Sequence, residues 1–267
     1  MTDDTWLDNV RLADVGLRVE VTGPTATVTL ARPERRNAQT PAMWLALAGV
    51  GRDLPGDVRV VVLRGDGPAF SAGLDLAMFT PEGLPGAVGF AELARLPDDA
   101  ADALIASYQA AFTWWSRPDI VSVAAVQGHA VGAGFQLALA CDLRVLADDA
   151  QLTMAETSRG IVPDLGGTKP LVDLVGYPRA LEICATGRRV AADEALRLGL
   201  AELVVPRTDL DEAVADLVAA LLAPLRDAVV ETKALLRGAG RRSMGEQLAA
   251  ERQAQLRRLR DLAGIGE

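Results

Sequence analysis

The chain has 267 residues, half of them hydrophobic and 24% charged, enough to bury a substantial core in one α/β domain with a helical appendage. Its formal net charge of −9 opposes phosphate polymers and anionic membranes, which argues against nucleic acid or a membrane surface as a partner. The single histidine, His129, excludes a multi-histidine metal site, and Cys141 and Cys184, in apolar surroundings without C-x-x-C spacing, read as reduced thiols.

The start Met1-Thr2-Asp3-Asp4 is acidic and lacks the basic opening and apolar core of a secretion signal, and no apolar run approaches a membrane span. A cytoplasmic protein is expected. Residues 17–21 and 26–30 alternate as half-buried strands do, and Gly23-Pro24 between them predicts a hairpin. A helix follows over 41–53, then a buried strand over 58–63 and a loop opened by Gly65 and Gly67.

The Gly- and Pro-rich stretch 80–97 reads as a flap, and a helix over 98–115 ends at Arg117-Pro118. Trp114-Trp115 with Phe112 suit the core or a subunit contact. Next come a strand over 120–126, a Gly-rich turn, a helix over 133–140 and a strand over 143–147. From Gly167 onward the pattern is helical, with only Leu203-Val204-Val205 reading as a strand. This divides the chain into a core over 1–200 and a C-terminal helical region over 201–267 that packs on its own core or on a neighbouring subunit.

Three constellations can carry chemistry. In Phe70-Ser71-Ala72-Gly73-Leu74-Asp75-Leu76, Gly73 suits a positive φ and Asp75 suits a cap, so a tight connection explains the residues as well as a site does. Gly128-His129-Ala130-Val131-Gly132-Ala133-Gly134 leads from a strand into a helix, where small side chains let a ligand atom approach free N–H groups. His129 there reads as a packing residue. The third, Glu156 to Gly167, holds two carboxylates eight residues apart, Glu156 and Asp164, in a mostly apolar setting that would raise a carboxyl pKa into a useful range for proton transfer.

These segments in this order, with Leu30-Ala31-Arg32-Pro33 and Asn37-Ala38 before them, resemble the crotonase superfamily, the enoyl-CoA hydratase and isomerase family, over nearly the whole chain. The resemblance implies a crotonase-like α/β spiral of ββα units with a C-terminal helical region, assembled as homotrimers or dimers of trimers. It implies an acyl-CoA substrate of fatty acid metabolism, with coenzyme A as part of the substrate and no tightly bound cofactor or metal. It also implies that the N–H groups of Leu74 and Ala133 form an oxyanion hole for the thioester carbonyl. Ala72 and Met78 fall at the substrate, and Arg35, Arg36 and the tail's Lys233 are expected to meet CoA.

One departure bears on the reaction. Hydratases resembling this chain use two glutamates twenty residues apart; Glu156 matches the second, but Gln136 stands at the first. Glutamine cannot take a proton from water, whereas one carboxylate suffices to move a double bond. The reading is therefore isomerisation through a stabilised enolate, with Glu156 as base and acid, Asp164 as a second proton carrier, and Gln136 positioning substrate or water. A hydratase with a modified site and a non-catalytic acyl-CoA binder are the alternatives.

Overall fold

A computed structural model describes residues 9–80 and 82–265, and the acidic start Met1 to Asp4 lies outside them. Helix α1 (Asn9–Asp14) leads into the antiparallel hairpin of β1 (Leu17–Thr22) and β2 (Thr25–Leu30), with Leu17 opposite Leu30. Helix α2 (Pro41–Asp53) starts where the Thr40 side chain accepts the Met43 N–H and a proline opens the first turn. Met43, Ala46, Leu47 and Val50 recur at helical spacing on its buried face and join Val28 and Val61 in the main core.

The remaining strands are β3 (Val60–Gly65), β4 (Val121–Val126), β5 (His129–Val131), β6 (Leu143–Ala147), β7 (Gln151–Thr153), β8 (Arg189–Ala191) and β9 (Leu203–Val205). They form a six-stranded sheet in the order β1-β2-β3-β4-β6-β9 and a small sheet in the order β5-β7-β8. Beyond the hairpin every pairing in the large sheet is parallel, which requires crossovers and explains the nearly unbroken Val, Leu and Ala runs of β3, β4 and β6.

The other helices are α3 (Phe90–Leu93), α4 (Asp98–Thr113), α5 (Ala133–Ala140), α6 (Thr168–Val175), α7 (Tyr177–Thr186), α8 (Ala192–Leu198), α9 (Leu210–Leu222), α10 (Arg226–Ala239) and α11 (Met244–Leu262). The runs β1-β2-α2, β4-β5-α5 and β6-β7-α6 are the strand-strand-helix units that the resemblance implies. In the latter two, the second strand belongs to the small sheet.

The three strands of the small sheet were not expected. Each has three residues, too few for alternation to show, and β8 interrupts a stretch that reads as helical. The flap stretch carries the short helix α3. Strand β9 belongs to the large sheet, where the buried Arg144 guanidinium donates to Leu200 O and Cys141 O and pairs with Glu202, so the helical region proper begins at Leu210. Cys141 is buried and Cys184 partly buried, both as free thiols. Trp114 and Trp115 stack at 3.9 Å inside the protein. Among the described residues no helix is long and apolar enough to cross a membrane.

Candidate active site

The chain after β3 is stitched to β5. Ser71 N–H donates to His129 O at 2.9 Å, Val131 N–H donates to Ser71 O at 3.0 Å, and Ser71 and Ala130 form a parallel bridge. Gly73 lies at φ 84°, and a Cβ there would fall 2.4 Å from Val131 O, so only glycine permits this approach. A buried polar chain supports the turn. Trp44 Nε1 donates to Gln39 Oε1 at 2.7 Å, Gln39 Nε2 donates to Ser71 Oγ at 3.1 Å, and Ser71 Oγ donates to Asn37 O while accepting the Gly73 N–H.

Gln39 also takes both backbone bonds on either side of Leu74: its N–H donates to Gly73 O and its O accepts from Asp75 N–H. The Leu74 N–H is thereby fixed yet unspent. The two structural roles expected of this loop hold as well, since Gly73 has the positive φ and the Asp75 carboxylate accepts the Ala77 N–H at 3.2 Å.

The second loop ends in Gly132, at φ 52°, whose N–H donates to Thr153 O at 2.8 Å. Ala133 is the first residue of α5, where an N–H has no partner within the helix. The Cβ position of Gly73 lies 3.5 Å from Ala133 N, so the two loops are in contact. Neither the Leu74 nor the Ala133 N–H donates to another described group, and both residues line the same two cavities. Two fixed, free N–H groups, the Ala133 one at a helix start, favour a developing negative charge.

Glu156 opens the short turn Glu156–Arg159 and is 6% exposed. Gln136 Nε2, from α5, donates to Glu156 Oε1 at 2.6 Å, while Gln136 Oε1 accepts the N–H groups of Leu165 at 3.0 Å and Gly167 at 3.2 Å. Glu156 Oε2 is buried without a hydrogen-bond partner. Glu156 also lies against the second loop, since a Cβ on Gly132 would meet Oε1 at 3.2 Å. Burial raises the Glu156 carboxyl above its ordinary pKa; the Gln136 hydrogen bond opposes this and the charge of Asp164 adds to it. Asp164 is exposed as a residue, yet desolvation of its carboxyl raises its pKa too, against a backbone hydrogen bond that lowers it.

Glu156, Asp164, Gln136, Leu74, Ala133 and Met78 border one cavity of about 60 Å³. A neighbouring cavity of about 100 Å³ shares Leu74, Ala133 and Glu156 and adds Ala72, Phe79 and Arg159. The fold thus brings six of the expected site residues to one place and Ala72 to the adjoining space. Gln136 differs from expectation in its contacts. Its carbonyl oxygen is taken by two backbone N–H groups and its nitrogen is bonded to Glu156, so it holds the carboxylate and the 165–167 backbone in register.

The basic residues are placed apart. Arg35 and Arg36 are exposed at the turn Pro33–Arg35, and Arg36 O accepts the Ala72 N–H at 2.8 Å, which ties this turn to the first loop. Arg36 borders a separate polar cavity of about 410 Å³ with His129, Asp149 and Arg189.

Lys233 is not beside the two loops. Its Nζ donates to Arg117 O, Ile120 O and Asp142, which fastens α10 to the ends of β4 and β6, and burial lowers its pKa. A lysine in a helical tail reads the same in sequence whether it is free or bonded. The same lack of signal hid the cavity wall given by Trp44 and Tyr108. Tyr108 lies on the buried face of α4 with Ala111 and Phe112, a spacing that marks a core face but not a cavity. Among the described residues no group of three or more His, Cys, Asp or Glu could hold a metal ion.

Residues 20–260 match the family model described as enoyl-CoA hydratase/isomerase. A carnitinyl-CoA dehydratase of Salmonella typhi is 36% identical over 219 residues, covering 78% of this chain and 76% of the relative. A Thermobifida fusca YX protein, provisionally assigned as an enoyl-CoA hydratase and crystallised with acetoacetyl-CoA, is 51% identical with a TM-score of 0.93, covering 96% of this chain and 100% of that one. A Bacillus anthracis enoyl-CoA hydratase structure is 28% identical with a TM-score of 0.77, covering 94% and 95%. With this match along the sequence and this likeness in three dimensions, the chain belongs to the enoyl-CoA hydratase/isomerase family of the crotonase superfamily.

Proposed function

We propose that the chain is an enoyl-CoA isomerase that moves a carbon-carbon double bond in an acyl-CoA thioester. The observation that carries this reading is the bond from Gln136 to Glu156 Oε1, which leaves Oε2 the one unbonded carboxylate oxygen of a side chain that borders the cavity. The thioester is carried over from the Thermobifida fusca structure with acetoacetyl-CoA and the dehydratase relative, both of which act on or bind CoA esters.

The thioester oxygen sits between the N–H groups of Leu74 and Ala133. Oε2 of Glu156 removes a proton from C2 of a 3-enoyl group, the electrons pass into the carbonyl, and the resulting dienolate oxygen is held by the two N–H groups. Each such donor is typically worth about 2.7–4 kcal/mol at the transition state. Return of the proton to C4 gives the 2-enoyl product, with Asp164 as a second carrier at the cavity edge. Water addition lacks its second carboxylate because position 136 holds an amide. Arg35 and Arg36 supply the positive charge for the CoA phosphates, next to Ala72.

The apolar side chains Leu248, Leu256, Leu259 and Leu262 of α11 are exposed in the single chain, which supports the expected trimer or dimer of trimers as their cover. The deciding assay supplies 3-enoyl-CoA and crotonyl-CoA in parallel. Rapid appearance of 2-enoyl-CoA supports the proposal; robust hydration with little isomerisation replaces it with a lyase; CoA-ester binding without hydrogen exchange in deuterated water replaces it with a binder.

A further inference from the structure

Beyond the reacting atoms, the 60 Å³ cavity continues between α2, the flap and α4, walled by Trp44, Met78, Phe90, Leu93, Ile105 and Tyr108. Its size leaves room for only a few non-hydrogen atoms. Five of these six side chains either lack a hydrogen-bonding group or, as with Trp44, have already bonded it, since Trp44 Nε1 donates to Gln39. Tyr108 is the exception. It is 8% exposed and packs against Trp44 with ring centroids 5.3 Å apart, and its hydroxyl makes no hydrogen bond to a described group.

An unpaired hydroxyl on a cavity-lining residue is free to exchange a hydrogen bond with a ligand atom. Among the described residues no lysine or arginine borders this cavity, and Glu156 and Asp164 do, which disfavours a carboxylate on the acyl chain. A neutral hydroxyl or carbonyl group fits both constraints.

Resting on the acyl-CoA reading above, we propose that Tyr108 determines specificity: its hydroxyl hydrogen-bonds a neutral oxygen at the far end of a short acyl group. The substrate class is then a short oxygenated acyl-CoA, in preference to the alkyl chain of equal length.

The test uses saturated esters that cannot react, so that it stands apart from the isomerisation assay. Affinities are measured by calorimetry for two matched pairs, 4-hydroxybutyryl-CoA against pentanoyl-CoA and 5-hydroxypentanoyl-CoA against hexanoyl-CoA, on the wild type and on Tyr108→Phe. One added hydrogen bond should make the hydroxylated member of at least one pair bind about tenfold more tightly to the wild type. Tyr108→Phe should erase that preference and leave the affinity for CoA itself unchanged.

Equal or tighter binding of the alkyl member in both pairs overturns the proposal, and needs no variant. So does a preference that survives in Tyr108→Phe, or a variant that weakens every ester alike. If these esters bind as expected while 3-enoyl-CoA is not isomerised, the reaction fails and the specificity stands. If no ester binds, both fail.

Discussion

Gln136 and Glu156 share a 2.6 Å hydrogen bond that fixes one carboxylate oxygen and leaves the other unbonded. Because Gln136 Oε1 is held by the backbone of Leu165 and Gly167, the donor cannot drift from this position without breaking two further bonds. Glu156→Gln, which keeps the shape and removes the base, should therefore lower kcat for 3-enoyl-CoA isomerisation by about 10²–10⁴ with little change in affinity for the CoA ester. Stopped assays with calorimetry in parallel separate the two effects.

The rate should depend on pH through the same carboxyl. Glu156 must be deprotonated to accept a proton, and burial holds its pKa above the ordinary glutamate value, so kcat rises with pH through a midpoint displaced upward. The Gln136 hydrogen bond works against that displacement. Gln136→Met should move the rising limb to still higher pH, a shift read directly from the pH profile, and a loss of activity with an unmoved limb would contradict the positioning role.

Gln136→Glu is the informative change for reaction type. One new oxygen can keep the Leu165 and Gly167 N–H groups, while the other replaces the amide nitrogen 2.6 Å from Glu156 Oε1. Two carboxyls at that distance share a proton, and one of them titrates well above the usual range. The variant gains a carboxyl at position 136, where the wild type holds an amide, and crotonyl-CoA hydration should rise at least about tenfold over wild type.

Gly73→Ala should disable the oxyanion hole. The new Cβ would stand 2.4 Å from Val131 O at a φ of 84°, and relief of that clash must part the two loops. Loss of one donor corresponds to about 10²–10³ in kcat. The same loss for isomerisation and for α-proton exchange would show that the enolate, rather than proton return, has lost its support.

Stability gives an independent reading of Glu156. Its folded pKa is raised above the unfolded value, so between the two pKa values the folded state binds more protons. Stability from this group is therefore full below the unfolded pKa and falls as pH rises towards the folded pKa. Glu156→Gln has no such dependence, and its melting temperature relative to wild type should climb as pH rises across that window, by about 2–4 °C for each kcal/mol. A difference that stays flat with pH would show that the carboxyl is not desolvated.

Much of the fold was legible because its signals are local. The hairpin around Gly23-Pro24, the helix over Pro41–Asp53 and the helix over Ala133–Ala140 follow from alternation, capping and small residues, and the structure forms each of them. The strands β5, β7 and β8 were not, because three residues carry no period and their pairing comes from distant parts of the chain. The identity of Gln136 was plain in the sequence, but its partners at positions 156, 165 and 167 depend on how the turn after β7 folds back. The bonds of Lys233 were hidden for a related reason, since its partners at 117, 120 and 142 meet it only through the packing of α10 on the sheet.

The stitching of Ser71 to His129 and Val131 makes the two free N–H groups part of one framework, whereas the outer cavity wall at Phe90 and Leu93 belongs to a separately placed segment. Under the proposed function, chemistry and selection are carried by different pieces of chain. Substitutions in the wall can change which acyl group is accepted, and so KM, while the rate at saturation stays with the framework. A scaffold divided in this way can acquire new substrates without rebuilding its reaction centre.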